Sequence, residues 1–369
     1  MFTFVNDFLR FRSIKRLYVR YERFLVPGML LLGVLVDVVT FRTIQIHTAL
    51  MILGLYAVLA GIMIGVIHWY DATNHLIEKP SKTAYLRVLA PLIVQFTFGA
   101  LLSASLIFYW FSGSFAVSWP FILLLIFLMG ANDVFREYYL RPFVQLSVYA
   151  FILFSVLAVA LPFVFHSLSA WVFILAGGIS AFIIFLYLKI LFQIRPDLVR
   201  LRSVLSISIS SIFLLMNVLY FLNIIPPIPL SLTDSGVYHF VERSGSLYLV
   251  SSEQESFLDT VIPRQTIHTA PGERVYVFTS IFAPLELNTE VVHHWQRYEA
   301  GEGWVSVNRL NYSISGGRQR GYRGYSYITH YEPGKWRVDV ETARGQVIGR
   351  VSFSIEKVDA LPSLIISEK

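Results

Sequence analysis

Up to Ile225 the chain is written in long apolar runs; beyond it, apolar and polar positions alternate. A helix crossing the hydrocarbon core of a bilayer needs about 20 mostly apolar residues. The runs predict spans at 24–41, 48–68, 87–110, 116–131, 146–165, 170–192 and 203–224, with the first and fourth short. Residues 24–225 therefore read as a transmembrane helical domain of roughly seven helices. Ahead of it, residues 1–23 set Phe8, Leu9, Phe11, Ile14, Leu17, Tyr18 and Tyr21 among basic residues. That pattern predicts a basic, amphipathic cytoplasmic arm, which lies on an anionic leaflet or serves only as an orientation signal.

From Val237 the period shifts towards two. Residues 226–272 predict a connector with a β-hairpin, in which 237–242 and 246–251 flank the turn Arg243-Ser244-Gly245. Residues 273–358 predict strands at 274–282, 289–298, 304–311, 322–330, 336–341 and 346–355, with turns at residues 300–303, 316–317, 332–335 and 343–345. Short strands at this density predict an all-β, immunoglobulin-like antiparallel sandwich. In the last strand Val347, Gly349, Val351, Phe353 and Ile355 alternate with other residues, as one buried sheet face requires. Residues 359–369 are left as a tail.

Composition sharpens this division. Of 369 residues only 15% are charged, and mean hydropathy is +0.60. A soluble chain carries roughly a quarter charged residues. The net charge of +6 splits into +8 for residues 1–225 and −2 for the remainder. The basic excess flanks apolar runs, so it orients spans and does not argue for nucleic acid. Arg10, Arg12, Lys15, Arg16, Arg20 and Arg23 precede the first run, and alternate loops carry Lys79, Lys82, Arg87, Arg136, Arg141, Lys189, Arg195, Arg200 and Arg202. The other loops contribute only Arg42. Lys and Arg stay cytoplasmic near short loops, which predicts a cytoplasmic N-terminus and an outer β-domain. No cysteine is present, which removes disulfides, thiolate catalysis and Cys-ligated metal centres. No cleavable signal peptide is evident, so the first apolar run is expected to stay.

Candidate chemistry is sparse. Ionisable groups inside a membrane are costly and are read as functional by default. Asp37 and Arg42, with His47 and His166, form a cluster expected at the outer membrane interface. Gln95, Asn217 and Ser206, Ser208, Ser210 and Ser211 are read as polar packing between helices, and Gly61 with Gly65 as a small-xxx-small contact. Asn132, Asp133, Arg136, Glu137 and Arg141 form a polar cluster at a cytoplasmic helix end, either a self-neutralised cap or a contact site. No mid-membrane carboxylate, buried Schiff-base lysine, GxSxG, HExxH or phosphate loop occurs. His293 and His294 point to opposite faces of a strand, so with His268 or His330 they make a poor metal site. No cofactor or metal is expected.

In the β-region, Trp295, Trp304 and Trp336 are expected as core anchors or an aromatic platform. Arg318, Arg320, Tyr322, Arg323 and Tyr325 stand among glycines, and Arg forks suit carboxylates and phosphates; a charged edge strand is the alternative. With His294 and Trp295 they are the candidate ligand-binding residues. His294-Trp295, Trp304, the run 320–326, Pro333-Gly334-Lys335-Trp336 through Val340, Gly345 through Gly349, and Phe353 resemble the domain of unknown function numbered 2914. The resemblance covers about residues 274–357. It implies a place in the bacterial envelope, behind a multi-pass segment, and no activity.

These observations predict a non-enzymatic inner-membrane protein whose periplasmic sandwich binds an envelope protein, an anionic glycan or a lipid headgroup. Two further readings stay open: a transporter or channel for a lipid or small solute, and a membrane enzyme acting on a lipid-linked substrate. The bilayer is the one partner the apolar runs demand. A homo-oligomer is compatible with them.

Overall fold

The computed structural model describes residues 46–73, 84–134, 141–245, 247–253, 265–283, 288–315 and 321–369. The expected span at 24–41, the basic arm, Asp37 and Arg42 lie outside them. Six helices follow in order: α1 Ile46–Thr73, α2 Ala84–Phe111, α3 Phe115–Val134, α4 Pro142–Phe165, α5 Ala170–Ile194 and, after a 3-10 turn, α6 Arg202–Phe221. All six are long and apolar enough to cross a membrane. They coincide with six of the apolar runs. Their outward residues include Met51, Leu55, Phe127, Phe182, Phe185 and Leu214, a surface that only lipid or another apolar partner covers favourably.

The described residues fall into two compact units. One holds the helical segments up to Ile107, Phe121–Leu161 and Ala170–Val218; the other holds Phe108–Pro120, Pro162–Ser169 and Leu219–Lys369. In the helical unit small residues and tyrosines do the joining. The Tyr149 hydroxyl donates to the Ala57 carbonyl at 3.0 Å, and Tyr187 donates to the Gly61 carbonyl at 2.8 Å. A Cβ at Gly61 would stand 2.5 Å from the Tyr149 hydroxyl oxygen. The small-residue spacing therefore makes room for a tyrosine. Ser208 meets Ser147 at 2.9 Å between helices, whereas Asn217 spends its amide on the Phe213 carbonyl of its own helix.

The second unit carries eleven strands: β1 Ser231–Tyr238, β2 Phe240–Ser244, β3 Leu247–Glu253, β4 Gln265–Thr269, β5 Val275–Phe282, β6 Asn288–Glu299, β7 Gly303–Ser315, β8 Tyr322–Ile328, β9 Gly334–Thr342, β10 Val347–Lys357 and β11 Leu364–Glu368. They form three sheets, ordered β4-β10-β9-β6-β7, β1-β5-β8 and β11-β3-β2. Every pairing is antiparallel except β4 with β10. Val275, Val277, Trp295, Trp336, Val338, Val351 and Phe353 fill the space between the five-stranded sheet and β1-β5-β8. On the opposite face of β5, Tyr276 and Phe278, with Tyr238 of β1, pack against Val241 and Val250 of the third sheet. Central β5 is thus buried on both faces and reads as an almost unbroken apolar run, while β10, with one buried face, alternates.

Three differences from expectation have local causes. The expected hairpin forms between β2 and β3 from Phe240↔Ser251 to Ser244↔Leu247, but Val237 and Tyr238 belong to β1 and pair β5, because the chain leaves one sheet for another at His239. The connector holds paired strands β1 to β4. Residues 359–369, expected as a tail, include β11, which pairs β3 from Leu364↔Glu253 to Glu368↔Leu249. Its side chains are exposed on both faces, so it shows no apolar alternation to read.

Candidate functional site

Strand alternation sorts the residues of β6. Val291, His293 and Trp295 turn into the buried core; His294 and Gln296 turn out. Inside, His293 Nε2 lies 2.9 Å from Thr279 Oγ1 and His293 Nδ1 lies 2.8 Å from Ser326 Oγ. Trp295 Nε1 donates to the same Ser326 oxygen at 2.9 Å, and Thr279 Oγ1 meets the Tyr312 hydroxyl at 2.9 Å. Burial pulls His293 down to a pKa of about 4, so it is a neutral imidazole here. This network joins β5, β6, β7 and β8, with its imidazole bonded at both nitrogens.

The outer face of the five-stranded sheet is different in kind. His294 Nδ1 lies 2.9 Å from Glu341 Oε1 and its Nε2 2.8 Å from Ser306 Oγ. Arg309 donates to the other Glu341 oxygen at 2.7 Å. Arg350 forks onto both oxygens of Asp339 at 2.5 and 2.8 Å, and Arg337 donates twice to Gln296 Oε1 at 2.9 and 2.7 Å. Desolvation, followed by the nearby Arg350, pulls Arg337 below its usual range; a guanidinium remains a cation regardless. Asp339 and Glu341 are only 5% and 7% exposed, and Gln296 also donates to Asp339 Oδ2 at 3.4 Å. At one end Trp304 and Tyr298 meet edge to face, 37% and 47% exposed. The Arg337 guanidinium lies 4.3 Å from the Trp304 ring centre and Lys335 5.9 Å from that of Tyr298. The result is a stiff polar sheet face with an aromatic end.

The structure redistributes the expected ligand set. Arg318 and Arg320 lie outside the described residues. Trp295 and Tyr322 are buried in hydrophobic clusters, because their strand positions face the core. Arg323 donates to the Lys369 carbonyl at 2.8 Å. Tyr325 is half-exposed in a second aromatic cluster with Tyr248, Tyr276 and Tyr327. His294 stays, on the outer face. Trp304 is not a core anchor; a bulge at Val307, three residues further along β7, sets it on the opposite face from the alternation of the rest of the strand, and it turns outward. Arg337, Asp339 and Glu341 were not singled out, although they occupy every second position of a predicted strand, which is the signature of one shared face.

Of the polar cluster expected at a helix end, Arg136 and Glu137 and the Asp133 side chain lie outside the described residues. Asn132 is buried and donates to the Gln95 carbonyl at 3.4 Å, and Arg141 is exposed where α4 begins. His47 is exposed at the start of α1 and His166 at the end of α4. Two further histidines gather carboxylates: Glu253 takes His239 at 3.0 Å and His268 at 2.7 Å. Burial pushes the Glu253 carboxyl up, but bonds from the His268 backbone and both imidazoles outweigh it and hold it low. Among the described residues no group of three or more His, Asp or Glu is placed to hold a metal ion.

Apolar helices of membrane-crossing length followed by a β-rich region of antiparallel sheets define the class of this chain. Residues 288–355, which span β6 to β10 and the polar face, match the family described as "Protein of unknown function (DUF2914)". No curated protein matches the chain. A β-glucosidase from Listeria innocua, in complex with glucose, aligns at 13% identity and a TM-score of 0.21, over 34% of this chain and 17% of the enzyme. The alkylpurine DNA glycosylase AlkC of Pseudomonas fluorescens aligns at 11% identity and a TM-score of 0.21, over 83% of this chain and 97% of that one. Neither resemblance is close enough to carry a function.

Proposed function

We propose that the chain is a non-enzymatic inner-membrane protein of seven spans, residues 24–41 forming the first, with a cytoplasmic N-terminus. Its periplasmic domain, an immunoglobulin-like sandwich with an added third sheet, binds an anionic glycan of the envelope. The carrying observation is the pair of exposed rings, Trp304 and Tyr298, set beside Lys335 and Arg337 on a rigid sheet face. A sugar ring presents a flat C–H face that suits an aromatic platform. Its carboxylate suits arginine forks, and here Lys335, Arg309, Arg337 and Arg350 outnumber Asp339 and Glu341. The loop charges support the sidedness.

The full chain in lipid nanodiscs is to be titrated with a uronic-acid oligosaccharide and with a neutral glucan of equal length. The acidic sugar should bind more tightly, the more so at low salt, and Trp304→Ala should weaken it by about tenfold or more. Equal affinity for both sugars, or an undisturbed Trp304→Ala variant, would overturn the proposal.

A further inference from the structure

Four polar side chains from four helices are buried in the helical unit without enough partners. His68 on α1, Gln95 on α2, Asn132 on α3 and Gln145 on α4 are 1%, 4%, 2% and 1% exposed. His68 Nε2, Asn132 Oδ1 and both amide atoms of Gln95 and of Gln145 have no hydrogen-bond partner among the described residues. Swapping the oxygen and nitrogen of either glutamine changes nothing, because both ends are unpaired. Lipid offers no hydrogen bonds, so orphaned groups at this depth are expected to meet water or a guest.

Contacts on the same helices place the four at one level. Phe98 and Tyr149 stack with ring centres 6.3 Å apart, and Tyr149 meets Tyr187 at 5.7 Å. Gln95 and Gln145 stand three and four residues before Phe98 and Tyr149, hence one turn away on the same faces. Asn132 reaches the Gln95 backbone, and Gln145 lies beside His68. His68 Nδ1 in turn lies 3.0 Å from Arg195, which pairs with Asp71 at 3.0 Å and Asp197 at 3.2 Å. Aromatic rings thus close one side of the polar layer. On the other stands an ion-paired arginine, 21% exposed, whose carboxylate partners are 41% and 59% exposed.

We propose that this layer is a hydrated binding site, reached from the Arg195 end, which takes water and small neutral hydrogen-bonding solutes. Two free amides and an imidazole nitrogen offer both donors and acceptors. The neighbouring cation is already neutralised, so the layer favours neither anions nor cations.

The absence of cysteine provides the test without background. Gln95→Cys and Gln145→Cys, made in the full chain in nanodiscs, are treated with hydroxyethyl methanethiosulfonate, a neutral polar reagent. Ala100→Cys, at a fully buried position on α2, is the control. A thiol in apolar surroundings is inert, so the two polar-layer positions should react about tenfold or more faster than the control. Hydroxyl-radical labelling of the unsubstituted chain should mark His68 and spare Phe154, which is fully buried in apolar surroundings. This arm stands even where a cysteine variant fails to fold. Labelling of His68 without thiol reaction would mean trapped structural water and would overturn access from outside. Failure of both would mean a dry layer and overturn the site altogether.

Discussion

His293 is a neutral, fully buried imidazole, and that fixes how the β-region responds to acid. Its folded pKa of about 4 lies below the ordinary 6.5. Between those values the unfolded chain takes up a proton that the folded chain refuses, so stability falls as pH drops from 6.5 towards 4. The full loss is about 3 kcal/mol. Glu253 acts in the same sense: its lowered pKa gives stability above the ordinary carboxylate range that fades as pH falls through the folded value. Denaturant midpoints followed by tryptophan fluorescence at pH 7 and 4.5 should show the drop. His293→Phe, although less stable at pH 7, should show a shallower slope; an unchanged slope would remove His293 as the cause. The tryptophans divide likewise. Trp336→Ala should cost about 3–5 kcal/mol, whereas exposed Trp304→Ala should stay within about 1 kcal/mol while affecting binding.

At the scale of elements, β10 and β1 approach closely at Gly349. A Cβ on Gly349 would fall 2.3 Å from Leu232 Cδ2. Gly349→Ala should therefore destabilise by about 1–3 kcal/mol. Adding Leu232→Ala should recover part of that, a coupling measurable as a double-mutant cycle in the same denaturant assay. Strands β5, β6, β9 and β10 were legible because burial writes itself as alternation or as an apolar run. β4 and β11 were not. β4 owes its place to parallel pairing with β10, a long-range contact that leaves no local trace. β11 buries neither face, and only its backbone pairing with β3 makes it a strand. The helices were legible for the opposite reason, since lipid imposes one apolar demand over their whole length.

For the whole molecule, the division at Ile225 was plain in composition, and the candidate site was not. Trp304 read as core because its strand follows an alternation that a bulge interrupts, and no sequence pattern marks a bulge. His68 closes one predicted span and Gln145 stands just ahead of another, where a single polar residue reads as no more than a span boundary. Loop charges predict that a reporter fused after Lys369 works only in the periplasm; activity in the cytosol would reverse the proposed sidedness. A last consequence follows from β5, which serves as a wall common to two interiors. No layer can peel away without stripping one side of it, so Val277 and Phe278 should hold the slowest-exchanging amides of the β-region and report its global unfolding alone. An intruding protease or a destabilising change at either outer sheet would then be felt first at the opposite surface only when the entire stack lets go.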